Sequence, residues 1–287
     1  MAPSSPITAR VPAGRPAAWP LALVATPLLW ALLLFLGLLS LSWNLIALVL
    51  HPLLPRARGL AVGRAGIAYG YRLFWALARA CGMLRLEADV LDALRHEPGL
   101  IIVANHPSML DALMLVARLP RATCIMKASL LRNIFLGAGA RLARYISNEA
   151  PVAMVRHAVQ DLRDGGQLVM FPEGTRTTQK PLNPFMPGVT LIAKLAPAPI
   201  QTVFIDTTSP YLGKGWPLWR LPPLPIVFTV RLGERFVPSR DADARLRELE
   251  AYFRRGLSPH EHADDTSAAA DSPAPASASS APGEPAA

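Results

Sequence analysis

A run of 30 residues without a charged side chain, Leu21 to Leu50, limits what this 287-residue chain can be. As a single α-helix the run would be about 45 Å long. That exceeds the roughly 30 Å hydrocarbon core of a bilayer. A cleaved signal peptide has a shorter apolar stretch followed by small residues, whereas HPLLPRARG (51–59) follows here. The run therefore predicts a retained membrane anchor, either one helix or a helical hairpin bent near residues 37–44.

Charge is distributed unevenly along the chain. Eight Arg and no Asp or Glu precede Glu87, and the whole chain carries a formal charge of +9. A basic region beside an apolar run is typical of attachment to anionic lipid, whereas nucleic-acid binders more often interleave Lys and Arg with aromatic residues. We therefore expect an anionic membrane surface as a partner, and no nucleic acid. The small excess of Arg after the run predicts an inner-membrane location with the following domain in the cytoplasm.

Composition divides the chain into four segments. Residues 1–20 and 257–287 are rich in Ala, Ser and Pro, which predicts a disordered leader and a disordered tail. Residues 21–83 contain the anchor and an amphipathic helix, for which packing on the core and lying on acidic lipid are equally good interpretations. Residues 84–256 alternate short β-rich runs with helical stretches, which predicts an α/β fold with a mostly parallel central sheet flanked by helices.

Two polar segments directly follow predicted strands, where sites form in α/β sheets. The first is NHPSMLD (105–111), in which His106 in a loop can meet Asp111 in the first turn of a helix starting at about Pro107. A carboxylate bonded to one ring nitrogen makes the other a general base that can take a proton from a hydroxyl. Alone, this spacing also fits a helix-start charge favoured by the helix dipole.

The second polar segment is FPEGTRT (171–177), which follows the apolar run QLVM. Gly174 allows the backbone to approach a ligand closely, Thr175 offers a hydroxyl, and Arg176 offers a fork suited to phosphate or carboxylate. Alone, the segment also fits a turn with a structural Glu–Arg pair.

Taken together, and about 65 residues apart, these two segments resemble the glycerolipid acyltransferase family typified by 1-acylglycerol-3-phosphate (lysophosphatidate) acyltransferases. The resemblance covers roughly residues 84–232 and includes the FMPG at 185–188. It implies that His106 deprotonates the acceptor hydroxyl, that Asp111 holds His106, and that the hydroxyl attacks the thioester of acyl-CoA or acyl carrier protein. It implies no bound cofactor and no metal. It also implies that the membrane lipid acceptor is bound by Glu173, Gly174, Thr175, Arg176 and Lys127.

The chain departs from the family pattern at one anion-binding position. Phosphate-acceptor members usually have an Arg at the end of the second block, where this chain has Asn148, and the FMPG segment lacks the Lys that is common there. Arg144 and Arg156 are candidates to replace the missing cation. The resemblance therefore favours 1-acyl-sn-glycerol-3-phosphate as acceptor, with phosphatidate as product. It leaves open a phosphate-free acceptor such as a lyso-amino-acid lipid or an aryl-polyene precursor.

Other classes of protein stay open on the residues alone. A non-catalytic lipid-binding membrane protein could keep the fold, and a thioester hydrolase would use water in place of the lipid hydroxyl. Cys81 and Cys124 lie far apart and are predicted to be reduced packing residues. Trp216 and Trp219 fit a proline-rich surface loop or an interfacial aromatic patch. The HxH at 260–262 falls in the predicted tail, where a solvated pair is expected.

Overall fold

The computed structural model describes residues 19–217 and 220–258. Residues 1–18 of the predicted leader (1–20) and most of the predicted tail (257–287), with its HxH pair, lie outside these residues, as does Trp219. The remaining predictions fall on described residues.

Seven strands form one sheet in the order β1-β7-β6-β2-β5-β3-β4. The strands are Leu84–Glu87 (β1), Leu100–Ala104 (β2), Ala122–Met126 (β3), Ile146–Ser147 (β4), Gln167–Met170 (β5), Ile200–Thr207 (β6) and Ile226–Phe236 (β7). Only β6 and β7 are paired antiparallel, and the other neighbours are parallel. The predicted α/β class with a mostly parallel sheet is confirmed. Because β2, β3, β4, β5 and β6 share one direction, their carboxyl ends meet at one edge of the sheet.

Helices cover both faces of the sheet, which buries the central strands on both sides. The helices are Trp19–Leu53 (α1), Arg56–Ala80 (α2), Asp111–Arg118 (α3), Ala128–Leu131 (α4), Gly137–Leu142 (α5), Pro151–Arg163 (α6), Gly188–Leu195 (α7) and Ala242–Leu257 (α8), with a 3-10 helix at Asp89–Leu94. Every residue of β2 is buried, as its continuous apolar sequence predicts for a central parallel strand. Ile102 lies in the core shared with α2 and α3, and Ile101 lies in the core shared with α6, α7 and α8.

The anchor forms one uninterrupted helix. α1 runs from Trp19 to Leu53, so the bend expected near residues 37–44 is absent and that alternative is wrong. Gly37 lies there, but a glycine inside a helix costs only about 1 kcal/mol relative to alanine, and the leucines around it favour the helix. Within the described part of the chain, residues 23–53 form the one helix that is long and apolar enough to cross a membrane.

The second helix packs against the core. In α2, Ile67, Phe74 and Trp75 are buried in the core under the sheet, which favours the core-packing interpretation. Arg64, which the helical pattern puts on the polar side, is also buried, with its side chain 6% exposed. Its guanidinium donates to Asp161 Oδ1 at 2.5 Å and to two backbone carbonyls. The burial of this cation is tolerated because the protein supplies its hydrogen-bond acceptors.

α1 is fastened to the domain by a polar side chain. Asn44 Oδ1 accepts hydrogen bonds from Ala138 N (2.6 Å) and Gly139 N (3.0 Å), and its Nδ2 donates to Ile134 O at 2.6 Å. These bonds satisfy backbone amides at the start of α5 that the helix itself leaves unpaired. Trp43 packs beside Gly139, where a Cβ would collide with the indole ring. The apolar helix is therefore docked on the domain through specific contacts.

Candidate active site

Both polar segments lie where the sequence places them, at the carboxyl ends of β2 and β5. These two strands are direct neighbours in the sheet, so the loops that follow them meet. Asn105 holds the end of β2 to β6, because its Nδ2 donates to Ile205 O and its Oδ1 accepts from Ile205 N, both at 2.8 Å. His106 follows at the point where the chain leaves the sheet.

His106 and Asp111 form a direct pair, with 2.8 Å between Nδ1 and Oδ2. α3 begins at Asp111 and not at Pro107, because residues 107–110 turn so that Ser108 N also donates to Asp111 Oδ2 at 2.8 Å. The Asp111 side chain is completely buried, and its Oδ1 has no hydrogen-bond partner among the described residues. Burial raises the pKa of Asp111 to about 6, and the hydrogen bond from His106 opposes part of that rise.

This geometry prepares His106 to act as a base. In the tautomer with the proton on Nδ1, the Asp111 carboxylate accepts that N–H, and Nε2 carries the free lone pair. The ring stacks on Phe171, with 4.1 Å between centroids and 19° between planes. The side chain of His106 is 18% exposed, so one part of the ring stays accessible. The His106 ring is therefore oriented by Asp111 at Nδ1 and remains partly exposed.

Glu173 joins the two polar segments. Its Oε1 accepts from His106 N at 2.9 Å and from the Thr177 hydroxyl at 2.8 Å, and its Oε2 accepts from Asn183 N at 3.0 Å. A further bond runs from Thr177 N to His106 O at 2.8 Å. Glu173 is buried, and both carboxylate oxygens are used inside the protein. This geometry supports a positioning role for Glu173, in contrast to the acceptor contact that the resemblance implies.

The rest of the FPEGTRT segment offers a backbone turn and a cation. Gly174 has a φ of +66°, a backbone angle that favours glycine, and a Cβ there would have to displace the exposed side chain of Met186. Thr175 is partly exposed. Arg176 Nη1 donates to Leu212 O (2.8 Å) and Gly213 O (3.0 Å). No acidic side chain pairs with Arg176 among the described residues, so its positive charge is not compensated there.

Lys127 reaches the same edge of the sheet from a third strand. It directly follows β3, precedes α4 and is exposed. The structure thus brings the ends of β2, β5 and β3 to one edge, as the sequence predicts. It does not show a direct contact between Lys127 and His106 or Arg176.

Neither of the two arginines considered as a substitute at Asn148 lies at the pair. Asn148 itself uses its Oδ1 to accept from Ala128 N at 3.2 Å. Arg144 precedes β4 and lies close to Arg56, the first residue of α2. Arg156 lines an open groove of about 350 Å³ on the outer faces of α6 and α7. These contacts do not test the expectation that one of them supplies the missing cation, which stays a prediction.

One element of the site, the connection between β6 and β7, was not predicted from the sequence. We call residues Ser209–Trp216 of this connection the strap. Ser108 Oγ donates to Tyr211 O at 3.1 Å, and Met109 N donates to Leu212 O at 3.1 Å. The one available signal is its length, because long loops inside a compact domain are usually functional. The proline-rich composition concealed that signal.

Comparison with known proteins agrees with the site. Residues 85–206 match the Acyltransferase family model. Over 135 residues the chain is 30% identical to human 1-acyl-sn-glycerol-3-phosphate acyltransferase beta, covering 45% of this chain and 49% of that protein. Over 152 residues it is 32% identical to the lyso-ornithine lipid O-acyltransferase of Pseudomonas aeruginosa, covering 48% of this chain and 58% of that protein. The chain spans about half the length of these curated relatives.

The fold is also similar to a solved structure. The crystal structure of the 1-acyl-sn-glycerophosphate (LPA) acyltransferase from Thermotoga maritima matches with a TM-score of 0.57 and 20% sequence identity. The match covers 78% of this chain and 96% of that one. The His106–Asp111 pair and the FPEGTRT segment both lie within the residues that match the family. The resemblance predicted from these two segments is confirmed, because residues 85–206 match the Acyltransferase family model and both relatives are named as acyltransferases.

Proposed function

We propose that this protein is an O-acyltransferase that transfers a fatty acyl chain from a thioester, acyl-CoA or acyl carrier protein, to the free hydroxyl of a lysolipid. The observation that carries the proposal is the His106–Asp111 pair. The carboxylate orients a partly exposed imidazole, and Thr177, the residue after Arg176, donates its backbone N–H to His106 O at 2.8 Å. A hydroxyl-activating base next to a cation is the combination that acyl transfer to an acidic lipid requires.

The proposed reaction uses His106 first as a base and then as an acid. Nε2 takes the proton of the acceptor hydroxyl while the hydroxyl oxygen forms a bond to the thioester carbonyl carbon. The tetrahedral intermediate collapses by breaking the carbon–sulfur bond, and the leaving thiolate receives the proton from Nε2. Asp111 accepts the Nδ1–H hydrogen bond throughout and stabilises the transient imidazolium. The products are an ester and a free thiol, and the reaction uses no bound cofactor or metal.

The acceptor we propose first is 1-acyl-sn-glycerol-3-phosphate, which gives phosphatidate. Arg176 and Lys127 would bind its phosphate, because a guanidinium fork and an ammonium suit phosphate oxygens. Gly174 and Thr175 would shape the turn on which this head group lies. The human relative, whose name states this acceptor, supports the proposal.

A second acceptor class is favoured by one specific position. The side-chain carbonyl of Asn148 accepts a hydrogen bond from Ala128 N, and the side chain carries no charge. The site therefore has one cation fewer at this position than the phosphate-acceptor pattern. The Pseudomonas aeruginosa relative is named for a lyso-ornithine lipid, an acceptor without phosphate. A lyso-amino-acid lipid is therefore the acceptor to test beside lysophosphatidate.

We propose that the protein works at the membrane surface, at the cytoplasmic face of an inner membrane. Much of the apolar surface of α1 is exposed to the surroundings of the domain, for example at Leu34 and Leu45. A lipid acceptor resides in the bilayer and a thioester donor in the cytosol. A helix that attaches the domain to the membrane would bring the two substrates together.

The test is transfer of labelled palmitate from palmitoyl-CoA to lysophosphatidate and, in parallel, to lyso-ornithine lipid by the membrane-bound protein. We expect transfer that His106→Ala lowers by at least about 10²-fold, because a positioned general base contributes about 10²- to 10⁴-fold. His157→Ala is the matched control, since His157 is exposed on α6. Full activity of His106→Ala would show that His106 is not the general base. Release of free palmitate without any acceptor would indicate a hydrolase, and lipid binding without turnover would indicate a non-catalytic protein.

A further inference from the structure

The strap, Ser209–Trp216, contacts both polar segments of the site. Its carbonyl groups at Tyr211, Leu212 and Gly213 accept hydrogen bonds from Ser108, Met109 and Arg176. These donors come from both polar segments of the site. The strap is therefore part of the site's framework, although it follows the last residue of the family match.

The conformation of the strap is unusual and well supported. Leu212 is a non-glycine residue with a φ of +57°, and its side chain is 2% exposed. Such backbone geometry costs free energy and persists where surrounding contacts determine it. Tyr211 supplies one of those contacts, because it is completely buried and packs edge-on against Trp216 with 6.3 Å between ring centroids. At Gly213 the strap approaches the first polar segment closely, because a Cβ there would lie 3.4 Å from Pro107 O.

The residue after Gly213 in the strap is a second cation. Lys214 directly follows Gly213, whose carbonyl is held by Arg176 at 3.0 Å, and its side chain is exposed. Neither cation pairs with an acidic side chain within residues 19–217 and 220–258. Glu173, the acidic residue closest in sequence to Arg176, uses both of its oxygens for His106, Thr177 and Asn183. Two cations without acidic partners, one of which is bonded to the residue before the other, favour the binding of an anion.

The same position suits the distance that the reaction demands. In 1-acyl-sn-glycerol-3-phosphate, two carbons and one oxygen separate the attacking hydroxyl oxygen from phosphorus. The anion must therefore bind close to the base. Gly213 approaches Pro107, the residue after His106, so Lys214 lies within side-chain reach of that region.

Resting on the proposed function, we propose that Lys214 is a specificity-determining residue whose ammonium binds the acidic group of the acceptor together with Arg176. That group is a phosphate in lysophosphatidate and a carboxylate in lyso-ornithine lipid. Lys214 thereby supplies, from the strap, a cation that the chain lacks at Asn148.

The test compares acidic and neutral acceptors in the full-length protein. For Lys214→Ala we expect the KM for lysophosphatidate to rise about 10-fold or more with kcat within about 2-fold, because a hydrogen bond between charged groups contributes about 1.5–3 kcal/mol. The KM for neutral 1-monoacylglycerol should change less than about 2-fold, and Lys214→Arg should restore the value for lysophosphatidate. Lys194→Ala, at an exposed lysine in the last turn of α7, is the matched control.

The arms of the experiment separate the possible failures. A rise in KM for lysophosphatidate supports a phosphate partner, and a rise for lyso-ornithine lipid supports a carboxylate partner. An unchanged KM for both acids, or an equal rise for 1-monoacylglycerol, would overturn the role of Lys214 and leave the proposed function intact.

A binding measurement keeps the proposal testable without turnover. The probe is radiolabelled 2-deoxy-lysophosphatidate, which keeps the phosphate and lacks the attacked hydroxyl. We expect Lys214→Ala to weaken its binding about 10-fold and His106→Ala to weaken it less than about 2-fold. Equal binding by wild type and Lys214→Ala, or no binding by wild type, would refute the anion site whether or not the protein transfers acyl chains.

Discussion

At the scale of single residues, we propose that Asp111 orients His106 for catalysis, and its burial has a cost in stability. The two effects can be measured separately. The carboxylate orients His106, but it is completely buried and one of its oxygens has no partner among the described residues. Burial raises the pKa of Asp111 to about 6 from a usual value of 3.8. The folded protein therefore binds this proton more tightly than the unfolded chain. The contribution of Asp111 to stability falls as the pH rises through that interval.

We predict that Asp111→Asn lowers kcat/KM at least about 10²-fold because the orienting carboxylate is lost. The melting temperature of the variant relative to wild type should rise as the pH increases from about 4 to about 6, since the variant carries no buried charge. Thermal unfolding at several pH values measures this difference. Asp243→Asn, at an exposed position on α8, should show a difference that stays constant. A difference that does not change with pH would show that burial of the charge is unimportant.

Gly174 allows a second test at this scale. We predict that Gly174→Ala lowers the free energy of unfolding by about 1–3 kcal/mol, because the residue has a φ of +66°, a backbone angle that residues with a Cβ rarely adopt. Activity should fall with it, since the turn carries Arg176. Gly188→Ala is the control, because it has ordinary helical geometry and meets only a contact at 3.9 Å. Equal stabilities of the two variants in urea unfolding would contradict the predicted strain.

At the scale of elements, the docking of α1 on α5 depends on one side chain. Asn44 pairs with Ala138 N, Gly139 N and Ile134 O, and it lies in an otherwise apolar sequence. A leucine there would fill similar space but leave two backbone amides without their acceptor. Unpaired buried polar groups cost about 1–3 kcal/mol each.

We predict that Asn44→Leu weakens the attachment of α1 to the domain. The free energy of unfolding in detergent should fall by about 1–3 kcal/mol, and a protease should cut the segment before α5 faster. Ser42→Leu is the matched control, because it also makes the helix more apolar but lies at an exposed position. If both variants are cut at the wild-type rate, the three bonds of Asn44 do not hold the helix.

At the scale of the whole molecule, α1 contacts the domain along one side and leaves its other side exposed. The chain has apolar residues on α1 that the domain does not cover, and Leu34 is 63% and Leu45 56% exposed. A surface of this kind is unusual for a protein surrounded by water, and it indicates an apolar partner. A bilayer is the partner that the length and composition of α1 fit best.

We predict that Leu34→Glu and Leu45→Glu each reduce flotation with vesicles that contain anionic phosphatidylglycerol. Burying one leucine side chain contributes about 1.5–3 kcal/mol, so each change should lower the partition coefficient about 10-fold or more. Val152→Glu is the control, because Val152 is 85% exposed on α6, at a distance from α1 in the fold. Flotation of all three variants at the wild-type level would show that α1 is not the attachment surface.

The sequence by itself determined the features that depend on neighbouring residues. Apolar runs and their polar ends predict the strands, and they place His106 and Arg176 at the carboxyl edge of the sheet. The short spacing between His106 and Asp111 also makes their pairing predictable, because one residue ends the loop after a strand and the other begins the following helix. The uncharged run before residue 51 predicts an apolar helix for the same local reason.

Only the tertiary structure decided which distant residues meet. Glu173 is bonded to His106 across 67 positions, and Asn44 to Ala138 across 94. The strap reaches Arg176 from a connection whose own composition suggests a plain surface loop. Periodicity and composition report on a residue's near neighbours along the chain, whereas these contacts follow from the order of strands and the packing of helices. The physical cause is that one buried amide or carboxylate takes whichever partner the fold brings within hydrogen-bond distance.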